Sequence, residues 1–219
     1  MADWLIWQLA DSAFPAGSFA HSCGLEAACQ QGEVDRSSLA SFVEAAVIQA
    51  AHGAVPFVTA AHGDPSDISS IDERYDAFLR NPVANRASRV QGRAWLATVE
   101  RAFALPSVRA VCQTARASAQ CRHYAPMFGA TVRALEVPLD AAQRLYLFGI
   151  SRGVLSAAIR LGLSGPTDAQ RLLAESAAVV ERTLARSSGI AIDDAAQTSP
   201  IMDLWQAGHD RLYSRIFQS

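Results

Sequence analysis

Apolar residues in this chain recur with a helical period and show no sustained alternation. Leu39, Phe42, Val43, Ala46, Val47 and Ala50 fall at i, i+3, i+4, i+7, i+8 and i+11, which predicts one buried helix face over residues 37–51. Gly53 and Pro56 interrupt the run, and 55–61 reads as a kinked continuation or a second helix. Residues 62–67 are loop-like by composition. Tyr75, Phe78 and Leu79 mark a further face ending near Asn81 and Pro82, and Leu96, Val99 and Phe103 mark another over 85–103. Pro106 suits a first helical position, with Val108, Val111, Cys112, Ala115 and Ala119 aligned behind it. Residues 121–138 hold a helix bounded by prolines. Asp140 with Gln143, and Thr167 with Gln170, have capping-box spacing and read as the starts of two long helices. The first is apolar nearly all round and is expected at the centre of a bundle, where Gly149 and Gly153 would let a neighbour approach closely. The second aligns Leu173, Ala177, Val180 and Leu184 and stops at Gly189. The pattern predicts an all-α fold, a single compact bundle domain of roughly eight to ten helices over residues 1–189.

Residues 190–219 differ. A loop-like stretch leads to Ser199 and Pro200, a cap and first helical position, and Ile201, Leu204, Trp205, Gly208 and Leu212 then share a face. Such an amphipathic tail either folds back on the core or is held by a partner. The opening stretch, 7–34, is equally distinctive. A short apolar segment (Trp4, Leu5, Ile6, Trp7, Leu9) breaks at Phe14, Pro15 and Gly17, and a helix is expected to restart with Ser18 as N-cap and to end at Gly32. Read from its residues alone, this crowded turn is a packed corner of a helical fold.

Composition narrows the function. The chain has 219 residues, 50% hydrophobic and 18% charged, with a net charge of −2, so it is globular and is not a general nucleic-acid binder. All 19 basic residues are Arg. Without Lys there is neither a P-loop nor Schiff-base chemistry through a side-chain amine. The most apolar long stretch, 145–163, carries Arg152 and Arg160, each costing roughly 2.5–3.5 kcal/mol inside a bilayer, so a buried core helix is expected there and no membrane association. No signal peptide is evident and the four Cys form no C-x-x-C pair, which points to a cytoplasmic protein.

Arg86, Arg89 and Arg93 lie at i, i+3 and i+7, a stripe that is either a solvated face or a dock for an acidic partner. No catalytic, cofactor-binding or metal-ligating set emerges. His21 and Cys23 stand about 200° apart on a helix, Cys23 and Cys29 about 240°, and no H-E-x-x-H or G-x-S-x-G is present. A non-enzymatic adaptor or a generic helical interaction scaffold fits this pattern.

One resemblance sharpens the reading. Leu9, Asp11, Ser12, Pro15, Gly17, Ser18, Phe19, His21, Ser22, Gly24, Leu25 and Glu26 resemble the N-terminal signature of UreF, the urease accessory protein family, in wording closest to its plant and fungal branch. Ser18 departs from it, standing where the family usually has a second Gly. Further pieces follow in family order: Arg89, Gln91, Gly92 and Arg93; His123, Tyr124 and Gly129; Ala157, Ala158, Arg160, Leu161 and Gly162; Gln170, Arg171 and Leu172. The close, Pro200 through Leu204 with His209, Leu212, Tyr213, Ser214, Arg215, Ile216 and Phe217, is also similar. The resemblance implies an all-helical homodimer that bridges a UreD/UreH-type scaffold and a UreG-type GTPase. That assembly delivers nickel to apo-urease, with the GTP bound by the partner and the nickel handled by the complex. The partner-contact candidates are Phe14, Pro15, Gly17, Phe19, His21, Glu26, Arg86, Arg89, Gln91, Arg93, His123, Leu204, His209, Tyr213, Arg215 and Phe217.

Overall fold

Eleven α-helices run through the residues that the computed structural model describes, 2–15, 17–117, 121–187 and 189–219, with no strand among them. They are α1 (Ala2–Ala10), α2 (Leu25–Gln30), α3 (Leu39–Gly53), α4 (Val55–Gly63), α5 (Ile68–Phe78), α6 (Pro82–Phe103), α7 (Pro106–Ala117), α8 (Tyr124–Ala134), α9 (Leu139–Arg160), α10 (Pro166–Ser187) and α11 (Pro200–Gly208). Only Ala54 separates α3 from α4, so the pair counted as one kinked helix gives ten, and the all-α expectation holds.

Several boundaries differ from the sequence reading, each for a local reason. The helix expected from Ser18 begins only at Leu25, because Cys23 (φ 53°) and Gly24 (φ 85°) are left-handed and interrupt it; Ser18 opens a short 3-10 turn to Ala20. Asn81 and Pro82 start α6 rather than ending α5: the Asn81 side chain accepts from the Val83 and Ala84 amides at 3.0 and 3.2 Å. The supposed loop at 62–67 is the last turn of α4 followed by a 3-10 turn, Pro65–Asp67. Neither capping box forms, since α9 and α10 begin one residue earlier, at Leu139 and Pro166. Asp140 pairs with Arg144 instead, and Gln143 donates to Thr59 Oγ1 at 2.9 Å. Ala119 lies outside the described residues.

The most enclosed helix is α8, not α9. Every residue from Ala125 to Val132 is buried, and α8 lies against both α4 and α6. Its Gly129 touches the Val58 carbonyl of α4 so closely that a Cβ would overlap it, and Gly92 of α6 meets the Arg122 carbonyl in the same way. Gly149 and Gly153, by contrast, have nothing within 4 Å of a built Cβ. Trp95 donates its indole N–H to Thr131 at 2.7 Å inside this core. α9 spans two apolar clusters: its first half joins the one around α8, and its second half joins α2, the start of α3, α10 and the tail. The stretch Leu39–Gly63 is long and apolar enough to cross a membrane, but 67% of its most apolar window is buried inside the protein.

The tail folds back. Met202 and Phe217 are buried in the second cluster, Trp205 stacks on Phe42 at 6.0 Å, and Asn81 donates to the Asp203 carbonyl. Two large side chains of α1, Trp4 and Trp7, remain 72% and 66% exposed.

Candidate functional site

The opening turn and the tail are built into one unit around Glu26. Gly17 (φ 76°) turns the chain into 18–20, and the left-handed pair at Cys23 and Gly24 turns it again into α2. Non-glycine left-handed backbone at Cys23 costs roughly 1–2 kcal/mol and is offset by what it positions. Glu26, with no exposed surface, then faces the tail: its carboxylate accepts from His209 Nε2 (3.1 Å) and from the amides of Ile216 (2.6 Å) and Phe217 (3.3 Å). Two backbone bonds close the unit, from the Ser22 amide to the Ser219 carbonyl at 2.6 Å and from the Gln218 amide to the Ala20 carbonyl at 2.8 Å. His21 Nδ1 meets the Ser219 hydroxyl at 2.5 Å. Outside, Arg160 of α9 stacks between Phe19 and Phe217, its guanidinium 4.1 Å from each ring centroid, and donates to the Phe19 carbonyl.

The arginine stripe divides. Arg86 pairs with Asp210 at 2.8 Å, and Arg215 approaches the same carboxylate at 3.5 Å. Arg89 and Arg93 make no ion pair among the described residues and line an open groove with Asp76, Arg80 and Asn85. The structure thus joins Phe19, His21, Glu26, Arg86, His209, Arg215 and Phe217 in one unit. Leu204 (68% exposed) and Tyr213 (fully exposed) stand on its surface. Phe14 and Pro15 lie apart from it: Phe14 packs on Trp95 and Phe103, and the Pro15 carbonyl accepts from Thr98. Gln91 faces inward instead, with His21, Cys23, Tyr124 and Tyr146, on two adjoining cavities of about 170 and 60 Å³.

Burial sets the electrostatics of that interior. It pulls the pKa of His21 down to about 4, helped by His209 and Arg86, so the imidazole is neutral at neutral pH, and its Nε2 has no hydrogen-bond partner among the described residues. Burial also raises the Cys23 thiol to about 11 and keeps Tyr75, Tyr124 and Tyr146 protonated. His123 sits elsewhere, buried before α8, with Nε2 2.9 Å from Asp76 Oδ1. Asp72, buried and 51 residues earlier than His123, accepts the amides of Arg122 and His123 at 2.7 Å each. Cys121 lies beside them; the sequence reading passed over its C-x-H spacing with His123 because it weighed helical pairs, and this segment is not helical.

Comparison with known proteins follows the same outline. The UreF family profile matches residues 34–177. Urease accessory protein F of Oryza sativa subsp. indica is 36% identical over 98% of this chain and 84% of its own length. The Arabidopsis thaliana protein of that name is 36% identical over 99% and 92%, and urease accessory protein UreF of Rhodopseudomonas palustris (strain BisA53) is 31% identical over 94% and 88%.

Proposed function

The chain belongs to the UreF family of urease accessory proteins, and from that premise we propose that it is a non-catalytic adaptor in urease maturation. In this reading a homodimer of the chain bridges a UreD/UreH-type scaffold and a UreG-type GTPase in the cytoplasm. Nickel passes to apo-urease, and the adaptor regulates the GTPase step. The observation that carries the proposal is the unit built from the opening turn and the tail. A buried Glu26 holds its shape, while Phe19, Leu204, Tyr213 and Ile216 remain exposed on it at 66%, 68%, 105% and 56%. A rigid apolar surface of this kind suits a protein partner, and the groove bearing Arg89 and Arg93 suits an acidic one. The exposed Trp4 and Trp7 support a further covered face, as a dimer would need. The adjoining cavities walled by His21 and Cys23 support passage of nickel through this chain.

Co-expression with the scaffold and the GTPase, followed by gel filtration with light scattering, tests the adaptor. Deleting the tail would be a poor control, because it strips Glu26 of its donors; Leu204→Asp with Tyr213→Ala alters only exposed groups. The wild-type chain is expected to bring all three proteins into one complex and the double variant to lose the scaffold. Wild-type protein eluting alone in the presence of cognate partners would overturn the adaptor and leave a generic helical scaffold.

A further inference from the structure

Asp76, Cys121 and His123 place one carboxylate oxygen, one thiol and one imidazole nitrogen within 4.8 Å of one another, outside the unit formed by the turn and the tail. We propose that these three side chains form a binding site for a divalent transition ion of the zinc, nickel and cobalt kind. The inference rests on side-chain geometry and not on the adaptor reading.

The donors come from two places in the fold and are held by groups that are not ligands. Asp76 lies in the last turn of α5, and Asn85 of α6 donates to its Oδ1 at 2.8 Å, which fixes the carboxylate. Cys121 and His123 flank Arg122, whose left-handed backbone (φ 58°) is clamped by both oxygens of the buried Asp72. The same left-handed turn seats the Arg122 carbonyl against Gly92 of α6, and it shapes the segment that carries the thiol and the imidazole. Tetrahedral coordination at the usual bond lengths needs donor separations of about 3.3–3.7 Å. His123 Nε2 and Asp76 Oδ1 start at 2.9 Å, and Asp76 and Cys121 are partly exposed, so small side-chain rotations suffice.

Charge and chemistry select the ion. One nitrogen, one sulfur and one oxygen suit zinc, nickel or cobalt and reject magnesium and calcium, which demand oxygen shells. On binding, the ion takes the place of the proton between His123 and Asp76. The ring proton moves to Nδ1, which has no hydrogen-bond partner among the described residues, and the thiol proton leaves to solvent. Ion, thiolate and carboxylate then sum to zero charge beside Arg89. Three protein ligands leave a fourth position. Asp76 lies on the wall of the arginine-lined groove, so that position suits water or an anionic group.

The test is titration of the untagged, full-length protein with Co²⁺, followed by its visible and thiolate charge-transfer absorption. One equivalent is expected to bind with a thiolate band. Cys121→Ser should abolish that band, and Cys121→Ser and Asp76→Asn should each weaken binding at least tenfold. Cys29→Ser should change nothing, and Mg²⁺ should not compete. A second readout needs no variant: Zn²⁺ should slow alkylation of Cys121, but not of Cys29, in peptide mass spectra. Co²⁺ binding without a thiolate band, an unchanged Cys121→Ser titration, or equal alkylation of Cys121 with and without Zn²⁺ would overturn the site.

Discussion

Glu26 is the residue whose replacement should cost the most in the opening unit. Alanine there leaves His209 and the amides of Ile216 and Phe217 without an acceptor in a buried place. A loss of about 3 kcal/mol or more is expected in urea unfolding, with the tail becoming protease-sensitive first. Glu26→Gln keeps one acceptor oxygen and should cost less than alanine. His21 gives the unit a pH dependence. An unfolded histidine titrates near 6.5, whereas His21 in the fold resists protonation until about pH 4. As pH falls between those values the unfolded chain takes up a proton that the native chain refuses, so stability declines, by up to about 3 kcal/mol at the acid end. Unfolding midpoints at pH 7.5, 6 and 5 should trace this slope, and His21→Asn should flatten it.

Helix boundaries and helix contacts carry predictions of their own. Asn81→Ala removes a cap worth about 1 kcal/mol and also the bond to the Asp203 carbonyl, so hydrogen exchange in α11 should quicken along with the loss of stability. Gly129→Ala forces α8 away from α4 and should cost about 3 kcal/mol, whereas Gly149→Ala, in open space, should be neutral or slightly stabilising. This contrast also marks what sequence could and could not convey. The apolar periods of α3, α6 and α7 were legible because each states its own buried face, as Leu39, Phe42, Val43 and Val47 do. The close approach was not, because Gly129 reads the same as Gly149 until Val58 is seen against it. Likewise Asp140 and Thr167 had cap spacing, but Leu139 and Pro166 had already begun the helices. In the Asp76, Cys121 and His123 cluster only the C-x-H half is local; Asp76 stands 45 positions before Cys121, on α5, and no sequence pattern ties it to that segment.

On the scale of the molecule, the groove bearing Arg89 and Arg93 should govern encounter with an acidic partner more than final affinity. Arg89→Glu with Arg93→Glu is expected to slow association with the GTPase at least tenfold in low salt, with the difference shrinking as salt rises. Stopped-flow or biosensor on-rates at two ionic strengths would measure it, and unchanged rates would show that stripe to be merely solvated. The grip of Glu26 on Ile216 spans 190 positions of chain. At synthesis rates of about 5–20 residues per second, a nascent Glu26 waits roughly 10–40 s before its donors emerge from the ribosome. Throughout that interval the underside of α2, with Leu25 and Ala28, has no tail to cover it. The opening signature is therefore made long before the tail that completes it and is among the last parts to fold, and whatever shields it during translation governs how much of each chain reaches a finished state.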